Sequence, residues 1–132
     1  MKKYIALLFA FICVFPLAGC QKIISASELY SFPEPPGLIT GSFYSQGQET
    51  EFEIGSEDYD PNDLSTIPVI TWFYDLNLTP CDEPEAVAGA EGYTFNVKGE
   101  EAFTYEDRGS EAYIIIDGSY YKVSNPSAPP ID

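Results

Sequence analysis

The chain contains no histidine. That excludes imidazole metal sites, Ser-His and Cys-His nucleophile pairs, and the side chain most used for proton transfer near neutral pH. Cysteine is scarce too, since Cys13, Cys20 and Cys81 are the only three. Basic residues number 6 against 21 acidic ones, for a formal net charge of −15. Phosphate recognition needs clustered Lys and Arg, so nucleic acid is not an expected partner. Cations, basic peptides and basic proteins are compatible with such a surface. The one long apolar run lies near the start, from Tyr4 to Leu17. It is shorter than the roughly 20 residues that a membrane-spanning helix needs, and Pro16 interrupts its end.

What is present at that end has an order. Lys2 and Lys3 give a positive start, the apolar run follows, and the small residues Ala18 and Gly19 stand just before Cys20. A charged start, an apolar middle and a small-residue cleavage site make a secretory signal. With a cysteine directly after the site, the segment resembles a bacterial lipoprotein signal peptide, and Leu17-Ala18-Gly19-Cys20 resembles its lipobox. The resemblance covers residues 1–20 alone. It implies that a dedicated signal peptidase recognises Leu17, Ala18 and Gly19. It also implies that a diacylglyceryl group is placed on the Cys20 sulfur, and that Cys20 becomes the first residue of the mature protein. The implied location is the extracytoplasmic side of a bacterial membrane or envelope, reached through lipid. Each buried methylene contributes about 0.8 kcal/mol, so one acyl chain holds marginally and two hold stably. In Gram-negative members of this family an aspartate after the cysteine signals retention at the inner membrane; here that position is Gln21. Once Cys13 is removed and Cys20 is lipidated, Cys81 stands alone and no internal disulfide is expected. Cys81 is then expected as a buried free thiol beside Pro80.

The organisation that follows is a leader over residues 1–19, a lipidated cysteine with a Ser/Pro-rich tether over 20–36, one β domain over 37–125, and a Pro-rich tail over 126–132. A proline-rich spacer extends about 3.1 Å per residue, so the tether reaches roughly 50 Å at most. Leu29, Tyr30 and Phe32 are apolar enough to dock on the domain and shorten that reach. Residues 37–45 and 50–54 read as strands around a turn at Gln46-Gly47-Gln48, with Phe52 and Ile54 alternating with Glu51 and Glu53. Alternation of that kind marks a sheet with one wet face. Residues 55–68 read as an acidic loop. Val69 to Tyr74, with the lone Trp72, reads as a buried strand, and Asp82 to Gly92 as the one place for a short helix, with Pro84 in its first turn.

From Glu91 onward there is a weak ten-residue repeat. Glu91-Gly92-Tyr93-Thr94-Phe95 is echoed by Glu101-Ala102-Phe103-Thr104-Tyr105 and by Glu111-Ala112-Tyr113-Ile114-Ile115. Apolar residues recur at every second position, which predicts a β-meander. Tyr113 to Ile116 is apolar throughout and is expected to be covered on both faces. Asp117-Gly118 is a strong hairpin signal. The expected class is all-β, a small antiparallel sandwich or a partly open barrel with a C-terminal meander and at most one short helix. The sandwich is preferred, because a strand covered on both faces fits it better.

Beyond Cys20 the chemistry-bearing patterns are weak. Asp58, Asp60 and Asn62 fall at positions 1, 3 and 5 of a calcium loop, but Asp63 stands where glycine belongs and Val69 where the bidentate glutamate belongs. Calcium is therefore a candidate only for a looser site, and no other cofactor is expected. Asp82/Glu83/Glu85, Glu100/Glu101 and Glu106/Asp107 are adjacent acids of the type glycosidases use across a cleft. Ten Tyr, nine Phe and one Trp exceed the needs of a modest core even after Tyr4, Phe9, Phe11 and Phe15 leave with the leader. Tyr59, Tyr74, Tyr120 and Tyr121 are thus candidates for a surface that contacts a protein or a glycan. With no histidine and no nucleophile motif, the expected function is a lipid-anchored, non-catalytic binding module. The alternatives are a calcium-stabilised envelope domain and a small carboxylate-based hydrolase.

Overall fold

Two-residue turns set the frame. At Gln46-Gly47, Lys98-Gly99 and Asp117-Gly118 both residues take positive φ, 52° and 79°, 53° and 82°, and 53° and 78°. That is the type I′ geometry, whose twist matches the twist of paired strands. The turns join β2 (Ile39–Ser45) to β3 (Gln48–Ile54), β5 (Glu91–Val97) to β6 (Glu100–Asp107), and β7 (Ala112–Ile116) to β8 (Ser119–Val123). The computed structural model describes residues 22–58 and 60–131. With β1 (Ile24–Ser25) and β4 (Asn77–Cys81), these strands form one open sheet, ordered β1-β4-β8-β7-β6-β5-β2-β3, with every neighbour antiparallel. The all-β class and the C-terminal meander of β5 to β8 stand as the sequence implies.

The second layer differs from the preferred sandwich. A single sheet is covered on one face by helix α1 (Ile67–Tyr74) and by both ends of the described chain. The strand expected over Val69–Tyr74 is therefore a helix. An apolar block this short satisfies either period, and its β-branched residues bias the reading toward a strand. The helix signal is Pro68, which sits in the first turn, where its missing N–H costs nothing. Helical spacing then puts Val69, Trp72 and Phe73 on the buried side. Phe73 stacks on Phe103 at 4.2 Å, Phe103 stacks on its cross-strand partner Phe95 at 4.7 Å, and Trp72 meets Tyr105 edge-on at 5.2 Å.

The helix expected over Asp82–Gly92 is absent. Residues 82–90 are irregular, and Ala86, Val87 and Ala88 stay exposed, so no apolar face is buried that would hold a helix on the sheet. A side chain pins this loop instead. Arg108 donates to the Glu85 carbonyl, pairs with Glu106, and lies 5.1 Å over the Tyr113 ring. That arrangement buries Tyr113 on the outer face while Ile114 is buried on the core face, so β7 is covered on both sides.

Two local features follow from hydrogen-bond alternation in an antiparallel ladder. The Asp117-Gly118 turn makes Ile116/Ser119 a bonded pair, and so Ile114/Tyr121 is bonded as well. Tyr121 thus turns its backbone away from Pro80, its partner on β4. The proline nitrogen faces the outer side of β4, where β1 has already ended, and no ladder bond is lost. On β2, Gly41 allows Phe52 to lie across the strand and reach Phe95 at 5.3 Å. A Cβ at Gly41 would stand 2.1 Å from the Thr94 carbonyl oxygen and 2.5 Å from Phe52 Cζ.

Candidate interaction surface

Leu17, Ala18, Gly19 and Cys20 lie outside the described residues, as does Tyr59. The chain enters the sheet almost at once, with Ile24 opposite Leu78. The Ala26 N–H donates to the Leu76 carbonyl at 3.0 Å, and Ala26 and Phe32 are buried against the helix layer. Phe32 packs edge-on to Phe73 at 5.7 Å and to Phe103 at 6.2 Å. Residues 24–32, read in the sequence as part of a tether, thus take the docked form. At the other end, Trp72 Nε1 donates to the Ser127 carbonyl at 3.0 Å, and Pro129 is buried. The Pro-rich tail is likewise held on the domain. Among the described residues no helix is long and apolar enough to cross a membrane.

The three described candidate tyrosines do not come together. Tyr74 is a strut: its half-buried hydroxyl accepts the Phe32 N–H at 2.8 Å and fixes the N-terminal segment. Tyr121 points to the core face and packs against the core cluster. Tyr120, its neighbour in the strand, must point the other way. It shares a shallow concavity with Cys81, Asp82, Glu83 and Ser119. Burial, and then the Glu83 carboxylate, push the Tyr120 hydroxyl above its usual range. Cys81 is half-exposed rather than buried. Burial of its thiol, and then the charge of Asp82, raise its pKa, so it is a weak nucleophile.

The acidic loop holds itself together. Asp60 Oδ1 accepts the Asn62 N–H at 2.9 Å, and Asp63 Oδ1 accepts both the Ser65 N–H at 3.0 Å and its hydroxyl at 2.6 Å. Those two bonds hold the Asp63 carboxyl below its usual range. Asp58 and Asp60 line a surface cleft with Pro36, Gly55 and Lys98. Among the described residues no three Cys, Asp or Glu side chains group as a metal site. Of the adjacent acids, the Glu106/Asp107 pair is likewise engaged locally: Glu106 pairs with Arg108, and Asp107 accepts the Gly109 N–H at 2.8 Å.

The outer face of the sheet divides in two. Over β7, β8 and β4 it carries cations and aromatics. Tyr113 donates to Glu111 at 2.6 Å, and Lys122 approaches the same carboxylate at 3.3 Å. The Tyr113 hydroxyl, then Lys122, hold Glu111 below the usual carboxylate range, and that bond raises Tyr113 in turn. Over β3, β2 and β5 the face is built of rows that register fixes: Glu49 beside Tyr44, Glu51 beside Ser42 and Thr94, and Glu53 beside Thr40 and Asn96. The Thr94 hydroxyl meets that of Thr104 at 3.2 Å, extending the middle row onto β6. Glu49, Glu51, Glu53 and Tyr44 are exposed, and among the described residues none of them has an ion-pair partner. The alternation of Glu51 and Glu53 with Phe52 and Ile54 marks this wet face in the sequence; the neighbours Ser42, Tyr44 and Thr94 emerge only from strand order. Comparison of the chain with known protein families, with curated proteins and with solved structures found no match.

Proposed function

We propose that the chain is a lipid-anchored, extracytoplasmic envelope module that binds a protein or glycan partner through the outer face over β3, β2 and β5 and catalyses no reaction. The observation that carries the binding reading is that face itself, where exposed carboxylates, hydroxyls and Tyr44 lie in register and, among the described residues, no ion pair engages the three carboxylates. The anchor reading is supported by the Leu17-Ala18-Gly19-Cys20 sequence. The lack of histidine supports the non-catalytic reading.

The docked N-terminal segment gives the anchor a direction. Cys20 is four residues before Ile24, where β1 begins, and four residues span at most about 14 Å. The lipid therefore holds the β1 edge close to the bilayer. Seven strand spacings of about 4.8 Å place β3 up to roughly 34 Å along the sheet from that edge. The acidic, hydroxyl-rich half thus stands at the end of the sheet remote from the anchored edge.

Two measurements test the reading. The protein recovered from bacterial membranes is expected to carry the mass of a diacylated chain beginning at Cys20, and Cys20→Ala to leave the membrane fraction. An intact leader or an unacylated thiol would overturn the anchor. A photo-crosslinker at Ser42 is expected to capture one envelope component in cells, lost on Tyr44→Ala. A crosslinker at Lys122 that captures the same component, with Ser42 silent, would overturn the choice of face.

A further inference from the structure

We propose that the free edge of β3 takes up an extended segment of a basic partner, with Lys or Arg at every second position, as a ninth strand of the sheet. The inference rests on reading the molecule as an interaction module, and it names the chemistry of what is bound.

The argument starts from the backbone. The Gln46-Gly47 turn makes Ser45/Gln48 a hydrogen-bonded pair, and alternation makes Phe43/Thr50, Gly41/Phe52 and Ile39/Ile54 bonded pairs too. Gln48, Thr50, Phe52 and Ile54 therefore spend their backbone groups on β2. Glu49, Glu51 and Glu53 turn their N–H and C=O groups outward, along the edge where the sheet ends among the described residues. The three residues that offer the free ladder are the same three that carry the carboxylates.

The two edges of the sheet are unlike. At the β1 edge the ladder closes with a strand of two residues, while β3 runs for seven. A long edge is a template for another strand, and charge along it selects which strand is admitted. A second copy of this chain is a poor occupant. Pairing β3 with β3 about a two-fold axis sets Glu51 opposite Glu51 and Glu49 opposite Glu53, which is destabilising. A strand with Lys or Arg at alternate positions places each cation directly beside a carboxylate, with Cβ atoms about 4.5–5.5 Å apart. Its intervening residues fall on the side of Phe52, which is half-buried and offers apolar surface. Main-chain pairing supplies affinity and the alternating positions supply specificity, as in other strand additions.

The test uses the full-length protein in detergent and three capped nine-residue peptides. In the first, lysine alternates with valine. The second has the same composition with the lysines in one block, and in the third glutamate replaces lysine. The alternating peptide is expected to bind at least about tenfold tighter than the block peptide, from three well-placed cross-strand pairs. It is also expected to slow amide exchange at Glu49, Glu51 and Glu53. Glu51→Pro removes an outward N–H and leaves the bonds to β2 intact; it is expected to abolish binding with the circular dichroism unchanged. Glu51→Gln keeps the backbone and is expected to weaken binding only a few-fold. Combined reversal at Glu49, Glu51 and Glu53 to lysine is expected to exchange the lysine peptide for the glutamate peptide. Equal binding of the alternating and block peptides, unchanged binding to Glu51→Pro, or protection elsewhere would overturn the proposal. If the peptides fail while Tyr44→Ala still abolishes the Ser42 crosslink, the module reading survives and the edge assignment falls.

Discussion

The β1–β4–β8 end of the sheet and the β3–β2 end are built to opposite ends. At the first, both ends of the described chain fold back onto the helix layer: Ala26 bonds to Leu76, Phe32 is gripped by Tyr74, and Ser127 is gripped by Trp72. Its outer face carries Lys122, paired with Glu111, and beside it over β6 and β7 lies Arg108, paired with Glu106. At the second, β3 is tied to the core through Phe52 lying over Gly41, and its three glutamates meet no cation among the described residues. The difference teaches how an acidic chain with few bases allocates them. Arg108 and Lys122 fix a loop and a strand where the fold needs covering, and the three β3 glutamates stand along a strand edge with no ion pair among the described residues.

Five measurements break or sharpen this contrast. Phe73→Ala removes the ring that joins Phe32, Tyr30 and Phe103. It should cost about 3–5 kcal/mol in urea unfolding, with the N-terminal segment losing exchange protection first. Next comes alkaline pH. Burial, and then the charge of Asp107, push the Tyr105 hydroxyl from 10.0 up to about 12. A raised pKa favours the neutral phenol in the folded state. That contribution, on the order of 2–3 kcal/mol, is fully present below about pH 10 and is lost as pH rises toward 12. In Tyr105→Phe the loss of stability over that window should shrink, as read by denaturant melts at successive pH values.

Gly41→Ala acts on the open end alone. The added carbon meets the Thr94 carbonyl, and the expected cost is about 1–3 kcal/mol. Amide exchange should quicken in β2 and β3 and stay slow in β4 and β8. Tyr74→Phe removes the acceptor for the Phe32 N–H and should cost about 1 kcal/mol, with faster exchange at Phe32 and none of the change at β3. Lys122→Ala deletes an exposed pair with Glu111 and should shift stability by less than about 1 kcal/mol.

The meander was legible in the sequence because alternation and the Asp117-Gly118 turn are local signals that agree. The edge pair β2–β3 was legible for the same reason. The Val69–Tyr74 block was not, since an apolar run of that length carries no period of its own; the need to cover the sheet's core face settles its form. The loop at 82–90 is not legible as a loop, because Pro84 and Glu85 satisfy helix-start rules while no apolar face follows to be buried. Of the candidate site, Glu51 and Glu53 are legible as a wet face, while Glu49 lies outside the strand expected over 50–54 and joins them only in the fold; Ser42, Tyr44 and Thr94 are brought beside them by the β2–β5 pairing, between residues some fifty positions apart. Tyr74 and Tyr121 are surface candidates by composition and inward-facing in the fold, because composition counts aromatic residues without saying which face of an element each one takes.

If the chain is anchored at Cys20 as proposed, the two-residue β1 has a mechanical consequence. Tension applied through Cys20 would arrive first at Ile24 and Ser25, and antiparallel strands peeled from one end give way bond by bond. So short a ladder yields at low load. It would pay out slack as far as the aromatic grip at Phe32, and the rest of the sheet would feel the pull only after that.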